Sequence, residues 1–316
     1  MERRMFLKAM AASAAMPAAL SGCRSTASRT ETKRCEPEYH AFSRVFQFIK
    51  DPYRAADFIK SCGYDGVEWT VRPGGFCEPD NAVRRLRELK DAADKAGLKA
   101  DNLVVSFLRG DDPGAEAIAK AGADAGFASF RGGYFRYDRS KTHAANMDAF
   151  RSGFDSLEAL AERSGLKACY QNHSTYNKNV PLFGSLVWDL FSVVKDYDPA
   201  LVGIQYDPMH VRAEGGPSWD HTLGAVAPWI DIVCLKDFYF IPDPAEPRDW
   251  KRKLVPAGEG IVDFAETKRL MELEGVRPRF TVHYDYDFPE EESRARAFAT
   301  SDLSRYRKVF GCSSRQ

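Results

Sequence analysis

The 316-residue chain lacks an excess of charge of either sign, because its 45 basic side chains balance 45 acidic ones. A nucleic-acid-binding surface usually requires a basic excess or patch, so this balance weighs against DNA or RNA as a partner. The seven cysteines lack the paired spacing of a disulfide framework. No glycine-rich dinucleotide-binding fingerprint follows a predicted strand. These absences leave an ordinary globular fold as the starting expectation.

The N-terminus has a pattern typical of exported bacterial proteins. Paired arginines at positions 3 and 4 precede a small, apolar stretch, which resembles a twin-arginine export signal. The stretch ends in LSGC at Cys23, which resembles a lipobox, in which the cysteine is acylated. We therefore predict a signal peptide over residues 1–22, a lipidated Cys23, a polar tether over 23–38 and a periplasmic location. No later segment is apolar enough to span a membrane, so we expect membrane attachment through the lipid only.

From about residue 40 onwards, short β-rich runs alternate with longer helical patterns. The predicted strands are 42–48, 66–71, 99–106, 127–132, 167–172, 201–206, 230–236 and 279–285. Helical patterns between them include 80–96, 114–125, 142–164, 185–196, 262–274 and 290–310. Strands that alternate with helices eight times predict an α/β fold, a closed (β/α)8 TIM barrel that forms a single domain over 39–316. The functional side chains of such a barrel lie at the C-terminal ends of its strands.

Polar and titratable side chains follow four consecutive predicted strands. They are Gln171, Asn172 and His173 on the fifth strand, Asp207 and His210 after the sixth, Lys236 on the seventh, and His283 and Asp285 on the eighth. Any one of these side chains has a simpler interpretation as a hydrogen-bonded structural residue. Four neighbouring strands that present such groups at one rim predict a binding or catalytic site instead.

The second and fourth strands add further candidates. Glu68 lies within a strand of a parallel sheet, where a carboxylate is costly unless it is paired or catalytic. Arg131 follows the fourth strand and has two possible roles, binding a substrate oxygen or neutralising a carboxylate. We predict Arg72, Arg131, Tyr134 and Asn172 as substrate-binding residues, and we keep an ion pair of Glu68 with an arginine as the alternative to a catalytic role.

The rim also offers two sources of positive charge for a reacting oxygen. Carboxylate, imidazole and amide groups are ligand types of Mn, Co, Mg and Zn ions, and such an ion would polarise a carbonyl or enolate oxygen. The ammonium of Lys236 could stabilise an enolate directly instead. Its alternative role is a salt bridge to Asp207 or Asp237.

Seven motifs, taken in order, resemble the xylose-isomerase-like barrel superfamily, often labelled sugar phosphate isomerase/epimerase, and in particular its exported bacterial members. They are GVEWTVRPGG, FRGGYFRYD, YQNHS, DPMH with the following EGG, LKDF, GEGIVDF and HYDYD. They extend from the second strand to the eighth. The resemblance implies a TIM barrel that acts on a sugar.

In ketose epimerases of this superfamily, four metal ligands come from strands five to eight. The resemblance places these ligands at Gln171, Asp207 and Cys234, and on strand eight at His283 or Asp285. It also makes His210 the match for a substrate-contacting histidine. Gln171 and Cys234 depart from the glutamate and histidine of the epimerase pattern, and an amide cannot be a general base. The candidate ligands of a divalent ion are therefore Gln171, Asp207, His283 and Asp285.

The predicted export favours an unphosphorylated sugar, because sugar phosphates are mostly cytoplasmic. We predict an isomerase or epimerase that removes a proton next to the carbonyl of a keto sugar, with metal assistance. Its candidate catalytic residues are Glu68, His173, His210 and Lys236. One alternative is a lyase or hydratase that cleaves a 3-keto-glycoside by β-elimination after the same first step. Another is a sugar-binding lipoprotein without turnover. A phosphodiester-cleaving relative of the barrel AP endonucleases is disfavoured by the neutral charge and the export signal.

Overall fold

The computed structural model describes residues 37–175 and 180–311 of the chain. The predicted signal peptide, Cys23 and all of the tether up to residue 36 lie outside the described residues. Within the described residues, no helix combines the length and the apolar composition needed to cross a membrane.

Within residues 37–175 and 180–311, eight parallel strands close into a barrel, which confirms the predicted (β/α)8 TIM barrel. The barrel strands are β1 (Tyr39–Phe42), β2 (Gly66–Val71), β3 (Asn102–Val105), β4 (Ser129–Arg131), β5 (Lys167–Gln171), β6 (Val202–Tyr206), β7 (Ile230–Leu235) and β10 (Arg279–Val282). Each strand pairs with the barrel strands before and after it. Closure comes from β1, which pairs with both β2 and β10.

The described part of the chain carries nine α-helices. They are α1 (Pro52–Ser61), α2 (Ala82–Lys95), α3 (Ala115–Asp124), α4 (His143–Ser164), α5 (Val187–Val194), α6 (Pro208–Gly215), α7 (Thr222–Val226), α8 (Phe264–Leu273) and α9 (Glu292–Phe310). Sequence signals determine where several of these helices begin and end. The longest, α4, begins where the hydroxyl of Thr142 accepts a hydrogen bond from the backbone N–H of Ala145, and it ends at Gly165, whose φ of 75° favours glycine.

The strands alternate between an apolar outer face and a polar inner face, since neighbouring side chains point to opposite sides. On β2, Val67, Trp69 and Val71 belong to the apolar core, whereas Glu68 and Thr70 are buried polar residues. This polar interior is unusual, because the interior of a TIM barrel is usually filled by branched apolar side chains. Hydrogen bonding must therefore stabilise the inside of this barrel.

A cluster of charged side chains closes the N-terminal end of the barrel. Nη2 of Arg279 lies 2.8 Å from Oδ2 of Asp231, and Nη1 lies 3.6 Å from Oδ2 of Asp101. Nζ of Lys167 lies 3.0 Å from Oδ1 of Asp231. We call these four residues the lower cluster. Its two cations and two anions balance one another.

The first strand differs from its prediction. The run 42–48 was expected to be a strand, but β1 ends at Phe42 and a 3₁₀ helix covers Ser43–Phe46. The hydroxyl of Ser43 accepts a hydrogen bond of 3.2 Å from the backbone N–H of Thr70, so a side chain replaces the next step of the backbone ladder. The prediction was wrong because the apolar residues after Phe42 imitate the alternation of a strand.

An antiparallel hairpin after β7 was not predicted. It consists of β8 (Asp237–Asp243) and β9 (Glu246–Val255). The carboxylate of Asp237 accepts hydrogen bonds from the backbone N–H groups of Gly258, Gly260 and Val262, at 3.0, 3.0 and 3.2 Å. Asp237 therefore joins the start of the hairpin to the loop that follows it.

Candidate functional site

The C-terminal ends of the barrel strands open into a cleft of about 850 Å³. This volume is typical of pockets that bind small molecules. Of the predicted site residues, His173, His210 and Asp285 line the cleft. Its wall includes the apolar and aromatic side chains Phe48, Met209, Leu254, Tyr286 and Phe288. The cleft lies at the end of the barrel where TIM barrels carry their functional residues.

A buried lysine lies between two aspartates beside this cleft. Nζ of Lys236 is 3.2 Å from Oδ2 of Asp207 and 2.9 Å from Oδ2 of Asp285. The side chains of Lys236 and Asp207 are 3% and 0% exposed, whereas that of Asp285 is 23% exposed. Burial alone would lower the pKa of Lys236, but the two carboxylates raise it well above its usual value. We call these three residues the upper cluster. It holds a fixed ammonium.

Residues from β5 and from the loop after β4 fix Asp207. Asn172 accepts a hydrogen bond of 2.7 Å from the backbone N–H of Asp207 and donates one of 3.0 Å to its backbone oxygen. Nε2 of Gln171 donates to Oδ2 of Asp207 at 2.9 Å, and Oε1 of Gln171 accepts from the hydroxyl of Tyr134 at 2.7 Å. The Asn172 side chain therefore holds the backbone of Asp207, and the substrate-binding role of Asn172 stays a prediction.

Two imidazole rings lie side by side at the cleft, and the centroids of His173 and His210 are 3.8 Å apart. Nδ1 of His173 lies 2.8 Å from the backbone oxygen of Ser174. A carbonyl oxygen only accepts hydrogen bonds, so Nδ1 of the neutral ring carries the hydrogen and Nε2 carries the lone pair. Burial lowers the pKa of His173 well below its usual value, and the positive charge of Lys236 lowers it further. The His173 ring is therefore uncharged near neutral pH.

The sequence Asp-Pro-x-His places His210 over Asp207. Asp207 caps α6, since its Oδ1 accepts a hydrogen bond of 3.2 Å from the backbone N–H of His210, and Pro208 occupies the first helical position. Nδ1 of His210 lies 2.9 Å from Oγ of Ser174. Nε2 is buried 3.5 Å from Oδ2 of Asp207 and has no hydrogen-bond partner among the described residues. Burial lowers the pKa of His210, so this ring is neutral as well.

Glu68 lies inside the barrel and not among the residues that line the cleft. Its two carboxylate oxygens accept hydrogen bonds of 2.9 Å from Asn102 and 2.8 Å from Thr281. Oε2 also lies 3.8 Å from Nε2 of His283, whose ring stacks on Phe42. Burial alone would raise the pKa of Glu68, but its contacts with His283 and Thr281 lower it. Glu68 therefore contacts Asn102, Thr281 and His283, and its catalytic role stays a prediction.

The two predicted substrate-binding arginines pack against aromatic rings. The guanidinium of Arg131 lies 5.3 Å from the ring centre of Tyr134, and that of Arg72 lies 5.7 Å from the ring centre of Phe42. Arg131 is 5% exposed and its Nη1 donates to the backbone oxygen of Gly132. Substrate contact by Arg72, Arg131 and Tyr134 stays a prediction.

The predicted metal ligands are engaged with other side chains. They are Gln171, Asp207, His283 and Asp285. Within residues 37–175 and 180–311, no group of three or more His, Cys, Asp or Glu side chains is arranged to hold a metal ion. A divalent ion about 4 Å from the ammonium of Lys236 would be repelled by it by roughly 8 kcal/mol at an effective dielectric constant of about 20, which offsets the attraction of one of the two carboxylates. The donor set therefore does not fit the metal centre predicted from the sequence.

Cys234 occupies the strand-seven ligand position that the motif resemblance implied. It is a fully buried free thiol. Burial raises its pKa well above the usual value, so the thiolate form that binds metals is disfavoured.

Three cationic residues of the cleft were not predicted: Arg44, Lys50 and Arg252. Arg44 and Lys50 belong to the segment after β1, where the 3₁₀ helix redirects the chain. Arg252 belongs to β9; its Nη1 lies 3.1 Å from Oε1 of Glu214, and its Nη2 donates to the backbone oxygen of Thr175. The aromatic and β-branched run FYFI at 238–241, followed by a proline-containing turn, is the sequence signal that could have identified the hairpin.

A closed parallel barrel with a polar cleft at the C-terminal ends of its strands defines the TIM-barrel class of proteins. A family model described as the xylose isomerase-like TIM barrel matches residues 56–299, and the chain therefore belongs to this family. The resemblance drawn from the sequence motifs is confirmed. Comparison with curated protein sequences gives no match.

Solved structures of similar fold include two sugar epimerases. D-psicose 3-epimerase with D-tagatose, from Clostridium cellulolyticum H10, is 13% identical with a TM-score of 0.64, and the match covers 87% of this chain and all of the other. 3-keto-D-glucoside 4-epimerase from E. coli is 15% identical with a TM-score of 0.63 and coverage of 86% and 99%. The IolI protein with a bound zinc atom is 14% identical with a TM-score of 0.68 and the same coverage. At these identities the likeness establishes the fold.

Proposed function

We propose that the protein isomerises or epimerises an unphosphorylated keto sugar by removing a proton from the carbon next to its carbonyl group. One observation carries this proposal: the rings of His173 and His210 lie in contact at the cleft beside the buried ammonium of Lys236, and burial lowers the pKa of both imidazoles. A base and an oxyanion stabiliser are the two groups that enolisation needs. The sugar epimerases among the structures of similar fold support the substrate class.

In the proposed first step, Nε2 of His173 takes the proton, and the C–H electron pair forms the new C=C bond of the enolate. The carbonyl π electrons move to the oxygen, whose negative charge is stabilised by the ammonium of Lys236. Return of a proton to the opposite face of the same carbon gives the epimer. Return of a proton to the former carbonyl carbon gives the isomer. In that case the hydroxyl on the deprotonated carbon passes its proton to the former carbonyl oxygen and becomes the new carbonyl group. We propose His210 as the relay of the second proton in the isomerisation, because its ring contacts that of His173.

The charges at the cleft favour a neutral substrate. Two of the three cleft cations are paired with carboxylates, since Arg44 lies 3.4 Å from Asp285 and Arg252 lies 3.1 Å from Glu214. The third, Lys50, is offset in charge by Glu290, which also lines the cleft. Aromatic wall residues such as Tyr286 supply an apolar surface for the face of a sugar ring. A neutral, polar molecule with one apolar face fits this combination.

Proton exchange with solvent tests the proposal. The purified protein is incubated in D₂O with a panel of 3-keto sugars and ketohexoses, and deuterium next to the carbonyl is measured by NMR. Enzyme-dependent incorporation that the substitution His173→Ala abolishes is the expected result. Release of an aglycone from a 3-keto-glycoside would assign the lyase alternative, which shares the first step. Binding without exchange across the panel would identify a sugar-binding protein and contradict the enzyme proposal.

We also propose that the protein is exported and anchored by a lipid on Cys23. Support comes from the arginine pair and the lipobox-like LSGC of the sequence. Cell fractionation and detergent-phase partitioning of the wild type and of Cys23→Ala test it. We expect the wild type in the membrane fraction and the variant in the soluble periplasmic fraction. Equal partitioning of both forms would contradict the lipid anchor.

A further inference from the structure

We propose that the ammonium of Lys236 permanently occupies the position of a divalent ion, so that the protein binds no divalent cation at this rim. The motif resemblance implied an ion held by residues of the last four barrel strands, and one structure of similar fold contains zinc. In this chain the ammonium lies between the two aspartates that such an ion would need.

The contacts of Asp207 leave no room for an ion. Its Oδ2 atom accepts a hydrogen bond from Nε2 of Gln171 at 2.9 Å and lies 3.2 Å from Nζ of Lys236. Its Oδ1 atom accepts a hydrogen bond from the backbone N–H of His210. An incoming ion would have to displace both an amide and an ammonium from one buried carboxylate oxygen. Such a displacement leaves a buried ammonium without its partners, which is costly.

Two departures from the ligand pattern agree with each other. A glutamate at position 171 would bring a second carboxylate to Asp207, which requires a dication between them. The amide of Gln171 brings an N–H donor instead, and Lys236 brings a single positive charge. Two aspartates with one ammonium carry a smaller net negative charge than three carboxylates, so they do not require a dication. Gln171 and Lys236 are therefore two parts of one arrangement.

The ammonium differs from a divalent ion in its chemistry. It offers one charge and directed hydrogen bonds, and it remains attached to the chain, so chelators cannot remove it. The role of this charge in stabilising an enolate rests on the proposed function. The exclusion of a divalent ion does not, because ion binding is measured without any substrate.

The test measures ion binding by tag-free protein. Wild type, Gln171→Glu/Lys236→Ala and the control Lys167→Ala, which removes a lysine from the lower cluster, are examined by elemental analysis and by thermal unfolding with Mn²⁺, Zn²⁺ or EDTA. We expect no ion-dependent shift of the Tm for wild type and control. The double variant should bind Mn²⁺ at least about 100-fold more tightly than wild type, because it loses a positive charge and gains a carboxylate ligand.

Several results would overturn the inference. A wild-type protein that retains about one ion per chain, and loses it together with thermal stability in EDTA, contradicts it. Equal Mn²⁺ affinities of wild type and double variant also contradict it. If the double variant does not fold, the wild-type titration and that of Gln171→Glu, which keeps Lys236, decide the question: tight Mn²⁺ binding by either overturns the inference, and its absence in both supports it. Failure of sugar exchange with these ion-binding results intact would refute the proposed function only.

Discussion

At the N-terminal end of the barrel, Lys167 and Arg279 face Asp231 and Asp101, whereas at the C-terminal end one lysine faces two aspartates. The lower cluster is balanced and far from the cleft. The upper cluster combines one ammonium with two carboxylates and borders a cleft with two neutral imidazoles. The same residue types thus build a structural closure at one end and a candidate reaction site at the other.

Removal of the upper-cluster lysine should have the largest effect. We expect Lys236→Ala to lower kcat/KM by about 10³-fold, at the upper end of the loss seen when an oxyanion stabiliser is removed, because two carboxylates near the cleft also lose their partner. Lys167→Ala is the matched control and should leave kcat/KM unchanged. Steady-state kinetics on a sugar identified in the exchange assay provides the measurement. Equal losses in both variants would mean that the two clusters do not differ in role.

Removal of the candidate base should have the next largest effect. We expect His173→Ala to lower kcat by about 10²-fold or more, as loss of a general base does. The far-UV circular dichroism spectrum should be unchanged, because the ring lies at the cleft and not within a strand. Asn172→Ala is the control that distinguishes loss of a base from structural damage. Asn172 is the neighbour of His173 whose side chain holds Asp207, so Asn172→Ala should lower the Tm more than His173→Ala does. Full activity of His173→Ala would assign the proton transfer to another group.

Substitutions in the lower cluster should change the stability of the protein and not its activity. We expect Asp231→Ala to lower the free energy of unfolding by about 2 kcal/mol, less than for a fully buried pair because these side chains are partly exposed. Its kcat/KM should stay at the wild-type value. Chemical denaturation measured by fluorescence gives the first quantity and steady-state kinetics the second. A loss of activity in the folded variant would show that the lower cluster is coupled to the cleft.

Asp302 differs from the aspartates of both clusters, because its hydrogen-bond donors are neutral groups and not cations. Its oxygens accept hydrogen bonds from the Tyr286 hydroxyl and the Ala257 N–H, and burial raises its pKa to about 6. The folded state therefore holds the Asp302 proton more tightly than the unfolded chain, and the resulting stability is lost as pH rises through about 6. We expect Asp302→Asn to remove about 1 kcal/mol of the stability difference between about pH 5 and pH 7. Denaturation at both pH values tests this, and an unchanged pH dependence would contradict it.

The fold was accessible from the sequence because local signals and tertiary structure agree. The predicted strand 66–71 coincides with β2, and the predicted helix 142–164 matches α4 (His143–Ser164), whose cap residues are Thr142 and Gly165. The end of the first strand was missed because the side chain of Ser43 replaces a backbone hydrogen bond there. The hairpin was missed because its two strands lie outside the βα alternation. Neither departure follows from the βα alternation alone.

The candidate site was accessible as a set of residues but not as a set of contacts. Strand ends correctly indicated that Lys236 and Asp285 lie near one another, although 49 positions separate them. The sequence could not show that Lys236 bridges both aspartates, or that the Asn172 amide turns back onto the backbone. Those details depend on the register of the closed barrel, which residue types alone do not encode.

The hairpin anchored by Asp237 gives the cleft a replaceable part. Its base is fixed by one carboxylate that binds three backbone N–H groups beyond β9, while its outer strand supplies Arg252 to the cleft wall. Lengthening or exchanging the segment between Asp237 and Gly258 changes the cleft wall without altering a barrel strand. An exchange of this segment would therefore alter the cleft wall and leave the upper cluster and the barrel strands unchanged.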